Sequence, residues 1–335
     1  MELGIYTFGD LVLDPRTGRA VSAEERTHAM IAAAKLADER GLDVVGVGEH
    51  HGLGYVNSAT AVLLSAMAAV TKRVRLTSAS TSISTADPVR TFQEFATADL
   101  VSRGRVEVIL GRGAFTDNFA LFGYRLDDYD ALFTEKVELF QQLAASERVT
   151  WTGRFRPALH EAEIAPRPAQ ARMPVWIGAL SPRSVVRAAA LGLPLAMPML
   201  GGRLSGYAQL AKLYRQSWAE HGRAPADARI AVFAHLHVTR TSEETRRDFF
   251  ANYAAYLAPI FKGGMPPEAF AEMLGPQGTL VGGSVAEVVD KLGAIRDALG
   301  ATRFVGQIDI GGQDASAVLD GIARFADEVA PALRR

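Results

Sequence analysis

Short apolar runs alternate with longer amphipathic segments along most of the 335-residue chain. The amphipathic segments carry apolar residues at helical spacing and have clear boundaries. Ser22 and Glu25 form a capping box at the start of the first segment, and Gly41 ends it. The apolar runs are short and rich in Val, Ile and Leu, which is typical of buried strands. Eight such strands are predicted, at 3–8, 44–48, 74–80, 106–110, 174–179, 195–199, 230–238 and 303–310.

Eight buried strands, each followed by a helix, predict an α/β fold of the (β/α)8 TIM-barrel type as a single domain over residues 1–335. Two excursions interrupt the alternation, at 146–173 after the fourth helix and at 262–283 around the seventh. The first has the character of a hairpin. The competing fold is an open doubly wound sheet with a dinucleotide fingerprint. Gly46 and Gly48 begin such a fingerprint, but His51 stands where the next glycine is required.

Composition excludes several classes of function. The formal net charge is −1 and basic residues are scattered, so we expect neither nucleic acid nor an acidic membrane as a partner. The chain has no cysteine, which removes disulfide and thiolate chemistry. The longest apolar stretch, 59–70, is too short to cross a bilayer. The N-terminus lacks the pattern of a signal peptide, and a cytoplasmic location is expected.

The end of the fourth strand is the first candidate site. Gly111 and Gly113 flank Arg112 there, which lets the backbone approach a ligand closely beside a planar cationic fork. Taken alone, this loop is either an oxyanion or phosphate site or a sharp turn whose Arg pairs with a carboxylate. In a barrel it lies at the same end as Ser181 and Ser184, which begin a later helix. Arg, two Ser and the N–H groups of a helix start suit a bound phosphate.

A rival interpretation comes from the seventh strand. His235 and His237 lie on one face of it, and this spacing can hold a metal ion in barrel hydrolases. Asp309, near the end of the eighth strand, is a possible carboxylate ligand. A metal-dependent hydrolase needs further ligands from other strand ends, and the sequence offers few. We therefore expect no metal site.

Four ordered pieces resemble the bacterial luciferase-like monooxygenase family of flavin-dependent (β/α)8 enzymes. They are Glu-His-His at 49–51, STADPVR at 84–90, DLVSRGRVEVILGRG at 99–113 and FALFG at 119–123. The resemblance continues more weakly in PVWIGALSPRS at 174–184 and TLVGGSVAEVVDKL at 279–292. It covers most of the chain, and its order and spacing are more specific than any single piece.

The resemblance implies FMN as cofactor. Arg112 is expected to bind the FMN phosphate with Ser181 and Ser184. Leu180 stands where the luciferase α subunit has a glutamate whose backbone helps hold the flavin, a role that leucine keeps. Beneath the isoalloxazine ring the family often has a cis peptide, and Gly111 replaces a luciferase cysteine close to the flavin. The expected cofactor-binding residues are Ala79, Ser80, Gly111, Arg112, Leu180, Ser181 and Ser184.

His50 is the expected catalytic residue. By the resemblance, reduced flavin and dioxygen form a peroxide at flavin C4a, and that chemistry needs a proton donor or acceptor that titrates near neutrality. Two adjacent histidines at a strand end point to opposite sides, so His51 is expected to support the site from behind.

Several partners follow from the same resemblance. Since no nicotinamide domain is visible, reduced FMN is expected from a separate flavin reductase or from NAD(P)H, with O2 and a small organic molecule as substrates. Many small residues on the second and third helices, as at 59–69, predict a homodimer. Two alternatives stay open within the superfamily, a deazaflavin-dependent hydride transfer and a non-catalytic flavin-binding subunit. The joint presence of His50 and Arg112 argues against the second.

The sequence does not name the substrate. Its pocket is expected to include Tyr55, Phe115, Phe119 and Met197, which predict an apolar or aromatic acceptor.

Overall fold

The structure, a computed structural model, describes residues 1–113 and 116–334, apart from the side chain of Asp117. The strands within these ranges are short, and most of their residues are buried. They are β1 (Glu2–Thr7), β2 (Val44–Val47), β3 (Arg75–Ser78), β4 (Thr81–Ser82), β5 (Val106–Gly111), β6 (Arg148–Trp151), β7 (Leu159–Glu163), β8 (Val175–Gly178), β9 (Leu195–Met199), β10 (Ile230–Thr239), β11 (Val281–Ser284) and β12 (Arg303–Gln307).

Eight of these strands form a closed parallel barrel. Their order is β12-β1-β2-β3-β5-β8-β9-β10, and β10 pairs with β12 to close the ring. The predicted (β/α)8 TIM barrel is thereby confirmed. Strand β4 adds a short pairing to the end of β5, and β11 pairs with the end of β10 beyond the barrel.

Helices separate the barrel strands and cover them on the outside. They are α1 (Ala23–Glu39), α2 (Thr60–Val70), α3 (Pro88–Ser102), α4 (Asp117–Leu121), α5 (Tyr129–Ala145), α6 (Pro182–Ala190), α7 (Leu204–Glu220), α8 (Ser242–Glu244), α9 (Phe250–Tyr256), α10 (Pro267–Leu274), α11 (Val285–Leu299), α12 (Ala315–Arg324) and α13 (Ala330–Arg334). The π-helical turns Thr245–Phe249 and Phe325–Val329 join α8 to α9 and α12 to α13. In the described part of the chain, no helix is long and apolar enough to cross a membrane.

Local sequence signals set several helix boundaries. The side chains of Ser22 and Ser284 cap α1 and α11, each within a complete capping box. The Asp87 carboxylate accepts a hydrogen bond from the Arg90 N–H at the start of α3. These side chains satisfy backbone N–H groups that the first turn of a helix leaves without partners, so the helices begin where the sequence predicts.

The two excursions differ from each other. The first contains the expected antiparallel hairpin, formed by β6 and β7. The second is more regular than its Gly- and Pro-rich sequence suggests, since it contains α10 and the beginning of β11. Its apolar residues join those of the preceding helical segment and of residue 310 in a small separate core, which we call the excursion core. Its buried members are Phe249, Tyr253, Leu257, Met265, Phe270, Leu280 and Ile310.

The barrel lumen is filled by side chains from alternate strand positions. The layer includes Tyr6, Ile109, Trp176 and Phe233, all nearly inaccessible to solvent. Met197 belongs instead to the larger core between the strands and the surrounding helices. Because successive residues of a strand face opposite sides, Met197 points away from the lumen while its neighbour Ala196 points into it.

A buried ionic group closes the amino-terminal end of the lumen. Glu107 of β5, 2% exposed, accepts hydrogen bonds from Arg303 of β12 at 2.5 Å, from Trp176 Nε1 at 3.1 Å and from Arg75. Burial acts to raise the pKa of the Glu107 carboxyl, but the charges and hydrogen bonds of Arg303 and Arg75 bring it below its ordinary value. We call these residues the barrel floor.

Breaking the barrel floor should be costly. Glu107→Gln leaves the Arg303 guanidinium, 1% exposed, without its buried counter-charge, and we expect a loss of about 3–5 kcal/mol in the free energy of unfolding. The matched control is Glu2→Gln, since Glu2 also pairs with Arg303 but its side chain is 42% exposed; this loss should stay below about 1 kcal/mol. Urea unfolding followed by circular dichroism measures both. Equal losses would contradict the assignment of Glu107 as the central residue.

Candidate functional site

The carboxyl ends of β2, β3 and β5 meet closely at the barrel mouth. The backbone N–H of Glu49 donates to Ser80 O at 3.3 Å, and the N–H of Ser82 donates to the Glu49 carboxylate at 3.2 Å. The peptide bond between Ala79 and Ser80 is cis, as the family resemblance implies. A Cβ placed on Gly111 would overlap the Ser80 side chain. Glycine at 111 is therefore required by the close approach of β3 and β5.

Three arginines share one carboxylate beside this junction, and we call the group the arginine cluster. Arg112 Nη1 donates to Asp130 Oδ1 at 2.8 Å, and Arg183 Nη1 donates to Asp130 Oδ2 at 2.6 Å. Arg187 Nη2 lies 3.6 Å from Asp130 Oδ1. The Arg112 guanidinium also lies over the ring of Tyr129, 4.9 Å from its centre. With three guanidinium groups and one carboxylate, the cluster keeps an excess of positive charge.

The pKa shifts within the cluster reflect this excess. Burial acts to raise the pKa of Asp130, but Arg183, Arg112 and Arg187 bring it below its ordinary value. The pKa of Arg187 is lowered, first by burial and then by the like charges of Arg112 and Arg183, against the attraction of Asp130. In addition, Arg187 Nη1 is buried without a hydrogen-bond partner among the described residues. A second anion beside Asp130 would relieve both conditions.

The start of α6 lies at the same place and adds hydrogen-bond donors. Ser181 is the N-cap of α6, and its hydroxyl lies 2.8 Å from that of Ser184. The N–H groups of this first turn and the two hydroxyls suit an anionic oxygen. Leu180 precedes the cap with a side chain that is 47% exposed. The structure shows that Arg112 pairs with a carboxylate, and its role in binding an anion stays a prediction.

Three members of this site, Arg183, Arg187 and Asp130, were not predicted from the sequence. Arg187 and Asp130 lie far from Gly111 along the chain, and each resembles an ordinary helix-surface residue. The available signal was positional, since Arg187 follows Ser184 by almost one helical turn and so lies on the same side of α6. Asp130 lies in the first turn of α5, and only the tertiary packing of α5 against α6 brings it to Arg112.

His50 lies in an aromatic pocket at the end of β2. Its ring stacks on Tyr55 with 4.1 Å between ring centres, and Phe8 meets it edge-on at 4.6 Å. Burial, with a smaller contribution from His51, lowers the pKa of His50 to about 4. The expectation of a histidine titrating near neutrality is therefore wrong for His50, because the desolvated imidazole is neutral throughout the physiological range.

His51 faces the opposite side, as predicted. Its Nε2 lies 2.9 Å from Glu49 Oε1, and its ring meets Phe122 edge-on at 4.9 Å. Glu49 in turn accepts the hydrogen bond from Ser82 described above. His51 therefore supports the loop that carries the cis peptide.

The histidines of β10 are engaged in packing. His235 Nδ1 lies 2.8 Å from the Tyr253 hydroxyl, and the His237 ring stacks on Phe249 with centres 4.0 Å apart. Burial lowers the pKa of each to about 4. Across residues 1–113 and 116–334, no group of three or more His, Asp or Glu has the geometry to hold a metal ion. These observations disfavour a metal-dependent hydrolase.

The predicted substrate-pocket residues fall into different environments. Tyr55 lies at the mouth beside His50. Phe119 is 1% exposed and packs on Tyr129, next to the arginine cluster. Met197 faces the outer core, so its assignment to the pocket is wrong. Phe115 lies outside the described residues.

Comparison with known proteins gives one consistent family. A family model for luciferase-like monooxygenases matches residues 1–303. The 4-hydroxyprotoasukamycin monooxygenase of Streptomyces nodosus subsp. asukaensis is 27% identical, over 89% of this chain and 84% of that protein. An F420-dependent glucose-6-phosphate dehydrogenase of Amycolatopsis mediterranei is 33% identical, over 50% of this chain and 52% of its own length.

Solved structures agree in fold. The monooxygenase RslO1 from Streptomyces bottropensis superimposes with a TM-score of 0.85 at 25% identity, over 99% of both chains. An F420-dependent secondary alcohol dehydrogenase superimposes with a TM-score of 0.75 at 20% identity, over the full length of both, which is a likeness of fold. The chain belongs to the luciferase-like monooxygenase family of oxidoreductases, which includes flavin-dependent monooxygenases and F420-dependent enzymes.

Proposed function

We propose that this protein is an FMN-dependent monooxygenase that uses reduced flavin and O2 to oxygenate a small organic molecule. The arginine cluster beside the start of α6 carries this proposal. Its three guanidinium groups share one carboxylate, and the partner of Arg187 Nη1 is absent among the described residues. A phosphate monoester supplies the missing negative charge and acceptor oxygens.

The residues of the mouth fit the rest of FMN. Arg112, Arg187, Ser181 and Ser184 would hold the phosphate, with the backbone of Leu180 beside them. Ala79, Ser80 and Gly111 lie together at the ends of β3 and β5, and these residues would lie against the flavin ring. When bound, reduced FMN supplies the two electrons that activate dioxygen.

His50 would act as a neutral hydrogen-bonding group. A neutral imidazole offers one N–H donor and one acceptor nitrogen at the same time. Phe8 and Tyr55 fix the plane of the ring and exclude water from its faces. His50 can therefore orient a polar atom of a bound molecule or pass a proton between its two nitrogens, while it carries no charge at neutral pH.

An F420-dependent hydride transfer is the second candidate function. F420 also carries phosphate, which the arginine cluster would accept, and relatives with F420 in their names match half of this chain. We favour FMN because the monooxygenase relative from Streptomyces matches 89% of the chain. Reduced FMN would come from a separate reductase or from NAD(P)H.

A homodimer formed through α2 and α3 is also proposed. Val62 and Val70 of α2 are 70% and 42% exposed, and Leu100 and Val101 at the end of α3 are each 47% exposed. The opposite face of α2, with Ala61, packs into the core. An apolar outer face on two helices that pack against each other supports a contact between two copies.

The proposal is tested by the choice of cofactor. We expect the purified protein to bind FMN, seen as a shifted flavin absorption spectrum, and to consume O2 once the bound flavin is reduced. F420 offered under the same conditions should bind more weakly and cause no O2 uptake. Tight binding of F420 together with a failure to bind FMN would instead support the second candidate function.

Removing the central arginine should weaken FMN binding through its phosphate. Arg112→Ala loses charge-assisted hydrogen bonds worth about 1.5–3 kcal/mol, so Kd for FMN should rise roughly 10- to 100-fold. The matched control is Arg183→Ala, whose side chain is 72% exposed and should matter less. Quenching of flavin fluorescence measures both. Riboflavin, which lacks the phosphate, should bind the wild type and Arg112→Ala equally; a parallel loss for riboflavin would refute a phosphate contact.

The charge state of His50 can be measured directly. Its ring-proton NMR signal, identified by its loss in His50→Gln, should titrate with a midpoint near pH 4. An unfolded imidazole titrates near about 6.5, so the unfolded chain takes up this proton first and stability should fall as the pH drops from about 6.5 towards 4. His50→Gln should lose less stability over that window. His50→Ala should also lower turnover by about 100-fold, and a midpoint near 6.5 would contradict the buried neutral imidazole.

A further inference from the structure

A second charged group lies at the barrel mouth, at the ends of β1 and β12, and we call it the acidic cluster. Arg26 Nη2, from α1, donates to Asp10 Oδ1 at 3.1 Å and to the Asp309 carbonyl at 2.9 Å, and it lies 3.0 Å from Asp309 Oδ2. Asp309 and Asp10 are 7% and 4% exposed. One guanidinium thus serves two buried carboxylates, so the cluster binds an additional proton more readily than an isolated salt bridge.

A polar layer lies directly below Asp309 on the lumen side. Tyr6 pairs in register with Gln307, and Gln307 pairs with His235. These side chains share the inward face because Tyr6 belongs to the lumen layer, while Gln307 and His235 lie two residues beyond the inward-facing Val305 and Phe233. Asp309 follows Gln307 by two residues, just beyond the end of β12.

Three polar atoms of this layer lack partners. Tyr6 Oη, Gln307 Oε1 and Asp309 Oδ1 are each buried and make no hydrogen bond within the described residues. Leaving a buried polar atom unpaired costs about 1–3 kcal/mol. Three of them in adjacent positions indicate a place where the molecule exchanges hydrogen bonds with something that is not a fixed part of the fold.

The layer is close to the proposed active site. The Tyr6 ring meets the Phe8 ring at 5.4 Å, and Phe8 meets His50 at 4.6 Å. Tyr6 therefore lies one aromatic ring away from His50. The negative charge of Asp309 helps to raise the pKa of the Tyr6 hydroxyl, so these two groups lie near each other.

The other side of the acidic cluster is reached from outside the barrel. A cavity of about 360 Å³ lies between α1 and α12, and both Arg26 and Asp309 line it. We call it the outer cavity. Its remaining charged or titratable lining residues are Asp14, Arg19, Glu25, His28 and Asp314. Asp309 thus lies between the outer cavity and the residues of the lumen.

The acid–base character of Asp309 suits this position. Burial raises its pKa to about 6, Arg26 acts to lower it, and Asp10 acts to raise it. Burial also raises the pKa of Asp10 and of the neighbouring phenols Tyr6, Tyr253 and Tyr256, which stay neutral. The pKa of Asp309 therefore lies closer to neutrality than that of His50.

We propose that Asp309 is a proton relay for the oxidoreductase reaction, exchanging protons with the barrel mouth through the Tyr6 hydroxyl and with solvent through the outer cavity. Tyr6 Oη and Asp309 Oδ1 are not hydrogen-bonded to each other, so a water molecule between them carries the proton. When the bound molecule needs a proton, the Tyr6 O–H bond breaks towards it, the water protonates the Tyr6 oxygen, and the Asp309 carboxyl gives its proton to the water. The Asp309 carboxylate is then reprotonated from water in the outer cavity. The reverse sequence removes a proton, and neither direction leaves a charge on Tyr6.

This relay rests on the proposed function in one respect, the presence of a reaction at the mouth that gains or loses a proton. The proposed relay would be the same whether the cofactor is FMN or F420. Asp309 acts through Tyr6, so its distinguishing property is an effect on pH dependence rather than on cofactor binding.

The first test needs no cofactor. Infrared difference spectra of the apoprotein between about pH 5 and about pH 7 should show a protonated carboxyl band that titrates with a midpoint near 6. Asp309→Asn should abolish this band. Asp10→Asn should keep it with a lower midpoint, because a like charge is removed. A band that survives in Asp309→Asn would overturn the proposal.

The second test uses O2 uptake by the FMN-loaded, reduced protein across the same pH range. The wild-type rate should inflect near pH 6, and Asp309→Asn should lose the inflection and be slower by about 100-fold. Tyr6→Phe removes only a hydroxyl; it should be slowed similarly while it keeps the infrared band. Glu39→Gln, at the far end of α1 with a side chain that is 57% exposed and outside the outer cavity, should behave as the wild type.

The outcomes separate the relay from the proposed function. Absence of FMN binding and O2 uptake in the wild type contradicts the function, while the infrared test of Asp309 still applies. Full FMN affinity with wild-type rates and inflection in both Asp309→Asn and Tyr6→Phe contradicts the relay alone. If Asp309→Asn does not fold, Tyr6→Phe decides, since the ring and its packing are retained.

Discussion

The ion pair between Glu107 and Arg303 fixes the geometry on which the mouth depends. Strands β5 and β12 lie on opposite walls of the barrel, with three strands between them in either direction around the ring. The pair therefore spans the lumen, and Trp176 packs with it through a hydrogen bond to Glu107 and beneath the Arg303 guanidinium. Because this end is closed, ligands have access to the lumen only from the carboxyl ends of the strands, where every candidate site residue lies.

At that open end the structure separates charge into two regions of opposite composition. The arginine cluster has three guanidinium groups around the single carboxylate of Asp130. The acidic cluster has two carboxylates around the single guanidinium of Arg26. The arginine cluster therefore has an excess of positive charge, and the acidic cluster has an excess of negative charge unless one of its carboxylates is protonated. A molecule with an anionic tail would be oriented by this difference before any specific contact forms.

Much of the architecture follows from local signals in the sequence. Capping boxes at Ser22 and Ser284 and the Asp87 cap act within a few residues, so the helix starts are predictable. The buried strands are recognisable by their Val, Ile and Leu content. The predictions that were wrong concern properties that depend on residues distant in the sequence. The pKa of His50 depends on burial by Phe8 and Tyr55, and the face on which Met197 lies depends on the register of β9 within the barrel.

The candidate site shows the same division. Arg112, Ser181 and Ser184 are recognisable because glycines and a helix start mark them in the sequence. Arg187, Asp130, Arg26 and Tyr6 carry no such mark, because their roles come from contacts made across more than ten residues of chain. A family resemblance transfers positions, but the charge state of a side chain follows from the packing of this particular chain.

The excursion core has a separate consequence for how this enzyme diversifies. Strand β10 is ten residues long and extends beyond the barrel, where β11 pairs with its end. Phe270 of the excursion packs on Phe249, Phe250 and Tyr253 of the preceding segment, and Tyr253 connects the excursion core to the lumen through its contact with His235. The excursion is therefore a peripheral segment that can vary in sequence while the barrel strands stay the same. Its loops can accept insertions and new side chains over evolutionary time without disturbing the strands that align the reacting groups.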